Sequence, residues 1–191
     1  MKEISLHILD IAENSINAGA TKIEITVAEN IKNDELVISI KDNGCGMDAE
    51  KVKRVTDPFF TSRTTRKVGL GIPFFKAAAE ACDGFFKISS EFGHGTEILV
   101  KFKHSHIDRM PLGDLNGTLL NLIIGNPEIR WVFRYEYNEN IFEFDSQPIK
   151  EILGDLPFSD PQVIKFLRGS ISDGIDQARV ENSSLSQQER K

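Results

Sequence analysis

Four stretches of this chain alternate apolar and polar residues with a period of two, and they come in two closely linked pairs. Residues 22–28 place Ile23, Ile25 and Val27 on one side, and residues 35–41 repeat the pattern after a short turn. Residues 84–90 and 96–103 form the second pair, joined by "FGHG". Alternation of this kind marks strands that bury one face only, and links this short make antiparallel hairpins. A sheet with one apolar face must be covered on that side. The covering elements are expected to be helices at 4–18, 48–54 and 71–82. The first carries Leu6, Leu9, Ile16 and the pair Ile8, Ala12 near helical period and ends at Gly19, a residue suited to a helix C-cap.

The first helix is too polar for a cover alone. "LHILDIAENSINAGA" contains an Asp, a Glu and two Asn, and a buried polar group needs a partner. His7, Asp10 and Asn14 fall at i, i+3 and i+7, on one face. Three further motifs follow in order. "DNGCGM", Asp42 to Met47, puts a carboxylate at a strand end beside glycines that allow close backbone approach. "GLG", Gly69 to Gly71, opens a helix whose free N–H groups suit phosphate oxygens. "FGHGTEI" turns into the last strand at Thr96. Between the second and third motifs, residues 56–68 hold Arg63, Arg66 and Lys67 on a stretch that reads as an irregular, mobile segment, with charges suited to phosphate.

Together the four motifs resemble the boxes of the GHKL superfamily, the ATP-binding fold shared by gyrase, chaperones, histidine kinases and mismatch-repair ATPases. The resemblance spans residues 5–103. It implies an α/β two-layer sandwich of the GHKL (Bergerat) type: a mixed, mostly antiparallel sheet with helices on one face. It also implies roles. Asn14 would coordinate Mg²⁺, and Asp42 would accept a hydrogen bond from the adenine amino group. Gly44, Gly46 and Met47 would line the base site. Gly69, Leu70 and Gly71 would offer backbone N–H groups to the phosphates, and Thr96 would support the adenine pocket. ATP and Mg²⁺ are therefore the expected ligands. In hydrolysing branches a Glu four residues before the metal Asn activates water; here Asp10 stands there, one methylene shorter, and reach precedes pKa for a general base.

The chain has 191 residues, a formal net charge of −6 and two cysteines. The acidic balance does not favour nucleic acid or a membrane surface, and few cysteines fit a reducing cytoplasm. No apolar run of about 18 residues predicts a membrane span. Two cysteines cannot supply the four ligands an iron–sulfur cluster usually takes.

Beyond residue 104 the texture changes. Domains are expected at 1–104 and 105–180, the latter a small α+β appendage packed on the core and serving partner or dimer contacts, with a disordered tail at 181–191. "HSH" (His104, His106) with Asp108 has metal-like spacing but reads more simply as a boundary loop. Trp131, Phe133, Tyr135 and Tyr137 form a period-two stripe, the buried face of a hairpin. "VTDPFFTSRTTRKVGLGIP" and "SHIDRMPLGDL" add a finer resemblance to bacterial stand-alone ATP-binding proteins whose genes neighbour hydrogenase genes, which implies redox-linked regulation. Three functions are open at this point: a nucleotide-controlled regulator with an unidentified protein partner, a protein kinase acting in trans, and a slow ATPase.

Overall fold

The computed structural model describes residues 2–56 and 71–180. Arg63, Arg66, Lys67, Gly69 and Leu70, and the expected tail, lie outside the described residues. The elements in chain order are α1 (Ile4–Asn17), β1 (Lys22–Asn30), β2 (Glu35–Asp42), α2 (Ala49–Val55), α3 (Gly71–Glu80), β3 (Phe85–Glu91), β4 (Gly95–Lys103), α4 (Leu115–Gly125), β5 (Arg130–Tyr137), β6 (Asn140–Asp145), α5 (Ser146–Leu153) and α6 (Pro161–Val180).

The four alternating stretches form the two expected hairpins. β1 pairs β2 antiparallel with Ile25 opposite Ile40, and β3 pairs β4 with Ile88 opposite Ile98. The hairpins join through β2 and β4, where Ile38 faces Val100. Cross-strand neighbours share a sheet face, so the alternation in sequence becomes one continuous apolar surface. Ile23, Ile25, Val27, Leu36, Ile38, Ile98, Val100 and Phe102 on it are all buried. The opposite face is half-exposed and carries ion pairs, among them Lys22–Glu24, Lys101–Glu35 and Arg134 with Glu136 and Glu143. The sheet is therefore covered by helices on one side, as its patterning requires.

β5 and β6 belong to the same sheet. Its order is β3-β4-β2-β1-β5-β6. β5 lies parallel to β1, with Ile23 opposite Trp131 and Val27 opposite Tyr135. The aromatic stripe Trp131, Phe133 and Tyr135 is buried on the helix-covered face. The C-terminal strands thus extend the sheet edge to edge, where the sequence placed them in an appendage lying against it. Without β5, β1 would be an unpaired edge strand. α4 packs between α1 and α6, and all three contribute to one hydrophobic core.

The inward stripe of the first helix includes the expected Ile8 and Ala12, with Leu9 and Ile16 packed against the core, and departs from the expected stripe at Leu6. Ile4, Ile8, Ile11 and Ala12 are buried, whereas Leu6 is exposed. α1 is flanked on two sides, by α3 and by α4.

Candidate functional site

α1, the C-terminal end of β2, the start of β4 and the loop after β2 enclose a cavity of about 250 Å³. The walls follow from residues already placed. Ile11, Ile40, Ile72 and Ile98 are apolar and buried, and they make a slot between helix and sheet. Asn14 and Ser15 enter from α1, Asp42 from β2 and Thr96 from β4. Cys45, Gly46 and Met47 close one side, with Lys51 and Val55 of α2 beside them. The chain reaches α2 through Asp48, whose side chain caps the helix by accepting the Lys51 N–H at 2.7 Å. A concave apolar slot with a few convergent polar groups is the usual form of a small-ligand site.

Asp42 is the anchor of the slot. It is 8% exposed and ends β2 directly opposite Thr96 of β4. The Ser15 hydroxyl donates to its Oδ2 at 2.7 Å, and the Gly44 N–H donates to its Oδ1 at 2.8 Å. A carboxylate has about four lone-pair sites, so each oxygen still has capacity toward the cavity. The glycine loop exists because side chains do not fit it. Gly46 has φ +63°, and a Cβ there would lie 1.9 Å from the Glu91 carbonyl oxygen. Only glycine serves where the backbone both turns left-handed and touches its neighbour.

A second polar chain lies beside Asp42. The Met47 N–H donates to Ser90 Oγ at 2.8 Å, Ser90 Oγ donates to the Gly95 carbonyl at 2.9 Å, and Thr96 Oγ1 lies 2.9 Å from Ser90 Oγ. Ser15 and Ser90 were both missed in the sequence. A serine one place after Asn14, or in an alternating strand, has no spacing that sets it apart; register with Asp42 and Thr96 is what gives each its place.

Asp10 and His7 occupy the other end of α1. Asp10 is half-buried and does not line the cavity among the described residues. Its Oδ2 sits 1.5 Å from where a Gly71 Cβ would be, so any side chain at the start of α3 would have to push the carboxylate aside. Burial raises the Asp10 pKa, and the Gly71 backbone opposes that rise. His7 is 2% exposed and stacks on Phe75 of α3, ring centroids 4.6 Å apart and 9° from parallel. Burial lowers its pKa to about 4. Glu13, next to Asn14, is exposed and turned away from this face. Asp10 therefore meets the first residue of α3, adjacent in sequence to Gly69 and Leu70.

The remaining histidine motif is used elsewhere. His104 Nε2 lies 2.9 Å from Glu29 Oε2, and His106 lies 4.0 Å from Asp83. Among the described residues no three His, Cys, Asp or Glu side chains gather as a metal cluster. Among them, too, no helix is long and apolar enough to cross a membrane.

Residues 2–106 match the family described as histidine kinase-, DNA gyrase B-, and HSP90-like ATPase. The chain is 34% identical over 88 residues to sporulation kinase C of Bacillus subtilis, covering 46% of this chain and 20% of that protein. It is 35% identical over 95 residues to the signal transduction histidine-protein kinase AtoS of Escherichia coli, covering 50% and 15%. It therefore spans only 15–20% of the length of these relatives. In fold it is similar to the Aquifex aeolicus MutL ATPase domain complexed with ADP, with a TM-score of 0.52 and 17% identity over 79% of this chain and 67% of that one.

Proposed function

Because the chain belongs to the histidine kinase-, DNA gyrase B- and HSP90-like ATPases, we propose that it binds ATP with Mg²⁺ and acts as a nucleotide-dependent regulatory protein. The observation that carries this reading is Asp42: a buried carboxylate, fixed by Ser15 and Gly44, in the wall of an apolar slot. Its free lone pairs suit the exocyclic amine of adenine, and the isoleucine walls suit the faces of a flat ring. Gly44, Gly46 and Met47 bring the loop close to the base, and Thr96 stands beside Asp42.

Mg²⁺ takes hard oxygen ligands and keeps several of its waters. Asn14, in the cavity wall, offers one such oxygen, and a single amide beside phosphate oxygens is a donor set that fits this ion. When bound, the ion offsets phosphate charge. The proposal assigns the phosphates to the backbone at Gly69, Leu70 and Gly71 and to the charges of Arg63, Arg66 and Lys67. Asp10 is assigned to the attacking water. Its shorter side chain and its position on Gly71 support slow turnover rather than fast.

A second reading, a protein kinase acting in trans, is favoured by the kinases among the similar proteins. Residues 105–180 are assigned to contacts with a protein partner or a second copy. A cytoplasmic location, which rests on the low cysteine content, and a link to hydrogenase or redox metabolism, which rests on the sequence resemblance alone, extend the proposal.

Incubation with γ-labelled ATP tests these assignments. Phosphate released by the wild type and lost in Asp10→Ala supports slow hydrolysis with Asp10 as base. Equal release by both removes Asp10 from that role. Label transferred to an added protein selects the kinase reading.

A further inference from the structure

We propose that Ser90 is a positioning residue that sets the base selectivity of the slot: it takes the hydroxyl hydrogen of Thr96, so that Thr96 and Asp42 meet a ligand as acceptors only and the slot selects a 6-amino over a 6-oxo purine. The inference rests on the reading that the slot binds a nucleotide base.

The argument is a count of hydrogens. A serine hydroxyl has one hydrogen and two acceptor lone pairs. The Gly95 carbonyl can only accept, so the Ser90 hydrogen goes to it at 2.9 Å. The Met47 N–H can only donate, so it takes one Ser90 lone pair at 2.8 Å. The contact with Thr96 Oγ1 at 2.9 Å must then use the second lone pair, with Thr96 as donor. Ser90 is saturated, and the one hydrogen of Thr96 is spent behind the wall.

What Thr96 retains toward the cavity is lone pairs. Asp42, directly opposite it across β2 and β4, is in the same condition, with Ser15 and Gly44 donating into its two oxygens. This stretch of wall therefore carries two acceptors and no hydrogen to give. An amino group meets them with donors. Adenine's amino group has two hydrogens for the two acceptors, whereas a 6-oxo purine has one, on N1, and its keto oxygen meets an acceptor and is left unpaired on desolvation, which is the costly case. Ser90 is not itself in the cavity wall, so it acts through Thr96.

Dissociation constants of the full chain for ATP and ITP, which differ in the group at C6 and in the hydrogen that the keto form carries on N1, test the proposal. The wild type is expected to prefer ATP by on the order of 100-fold. In Ser90→Ala the Thr96 hydroxyl is free to turn and donate to the keto oxygen, and the preference should fall about tenfold. In Thr96→Val the preference should also fall, and adding Ser90→Ala to it should change the ratio no further. If Ser90→Ala weakens both nucleotides equally, Ser90 only holds the Met47 and Gly95 backbone and the proposal is overturned. An unchanged ratio in Thr96→Val overturns it independently of how Ser90→Ala folds. If the wild type binds neither nucleotide, the ATP reading itself fails, and this inference with it.

Discussion

His7 lies face to face with Phe75, almost fully buried. Burial is the largest cause of its depressed pKa, about 4 against an ordinary 6.5. Between those values the unfolded chain carries a proton on His7 that the folded chain does not. Stability is then fully present above pH 6.5 and declines as pH falls toward 4, by on the order of 3 kcal/mol. Asp10 works in the opposite direction: its raised folded pKa contributes stability at low pH that is lost as pH rises through that value. The two are separated by mutation. His7→Phe keeps the ring stack and should flatten the fall in urea midpoint between pH 6.5 and pH 4; an unchanged slope would assign it to other groups. The residues of the site divide by how much they show in sequence. That Asp42, Gly44, Gly46 and Asn14 come together around one slot was legible only from their motifs taken together, in an order that resembles the family's boxes; each motif alone is weak. Ser15 and Ser90 were not legible, because a hydroxyl takes its role from the group it touches. Gly71 was expected to face phosphate, and its close contact with Asp10 had no signal in the spacing.

At the scale of elements, α6 is fastened to the sheet far along the strands from Asp42. Glu29, near the end of β1, is buried and accepts from Tyr135 Oη, from His104 Nε2 at 2.9 Å and from Arg179 Nη2 at 3.0 Å. Arg179 also donates to Tyr135 Oη at 2.5 Å and lies 5.3 Å from the centre of its ring. Burial pushes the Glu29 pKa up, and the three hydrogen bonds with the Arg179 charge outweigh it and hold it below the usual range. The cluster ties β1, β5, α6 and the segment after β4 together. Removing the carboxylate leaves its donors facing an amide. Glu29→Gln should therefore cost about 2–3 kcal/mol, read as a drop in Tm of roughly 5–10 °C. Combined with Arg179→Met the loss should be less than additive. An unchanged Tm in Glu29→Gln would mean that the cluster does not hold α6. Only the burial of Tyr135 was legible in the sequence; His104 read as part of a boundary loop, and Arg179 stood apart from any motif.

For the whole molecule, local periodicity carried the strands and helices to within a few residues, since each is written in its own segment. The order of the sheet was not so written. β1 and β5 are about a hundred residues apart in sequence, and their parallel pairing leaves no mark except that both have an apolar face. Residues 105–180 accordingly read as an appendage, although Trp131, Phe133 and Tyr135 share one core with Ile23, Ile25 and Val27. The shared core stiffens the sheet on which Asp42 and Thr96 stand, so the slot is held by more of the chain than the residues that match the family. The central claim is that this slot binds the base of ATP through Asp42. Calorimetric titration of the full chain with ATP and Mg²⁺, wild type against Asp42→Asn, tests it most directly. The wild type should bind saturably, and the variant, in which the charge is gone and an NH2 donor replaces one acceptor oxygen, should bind about 10- to 100-fold more weakly. Equal affinities in the two proteins, or no binding by the wild type, would contradict it.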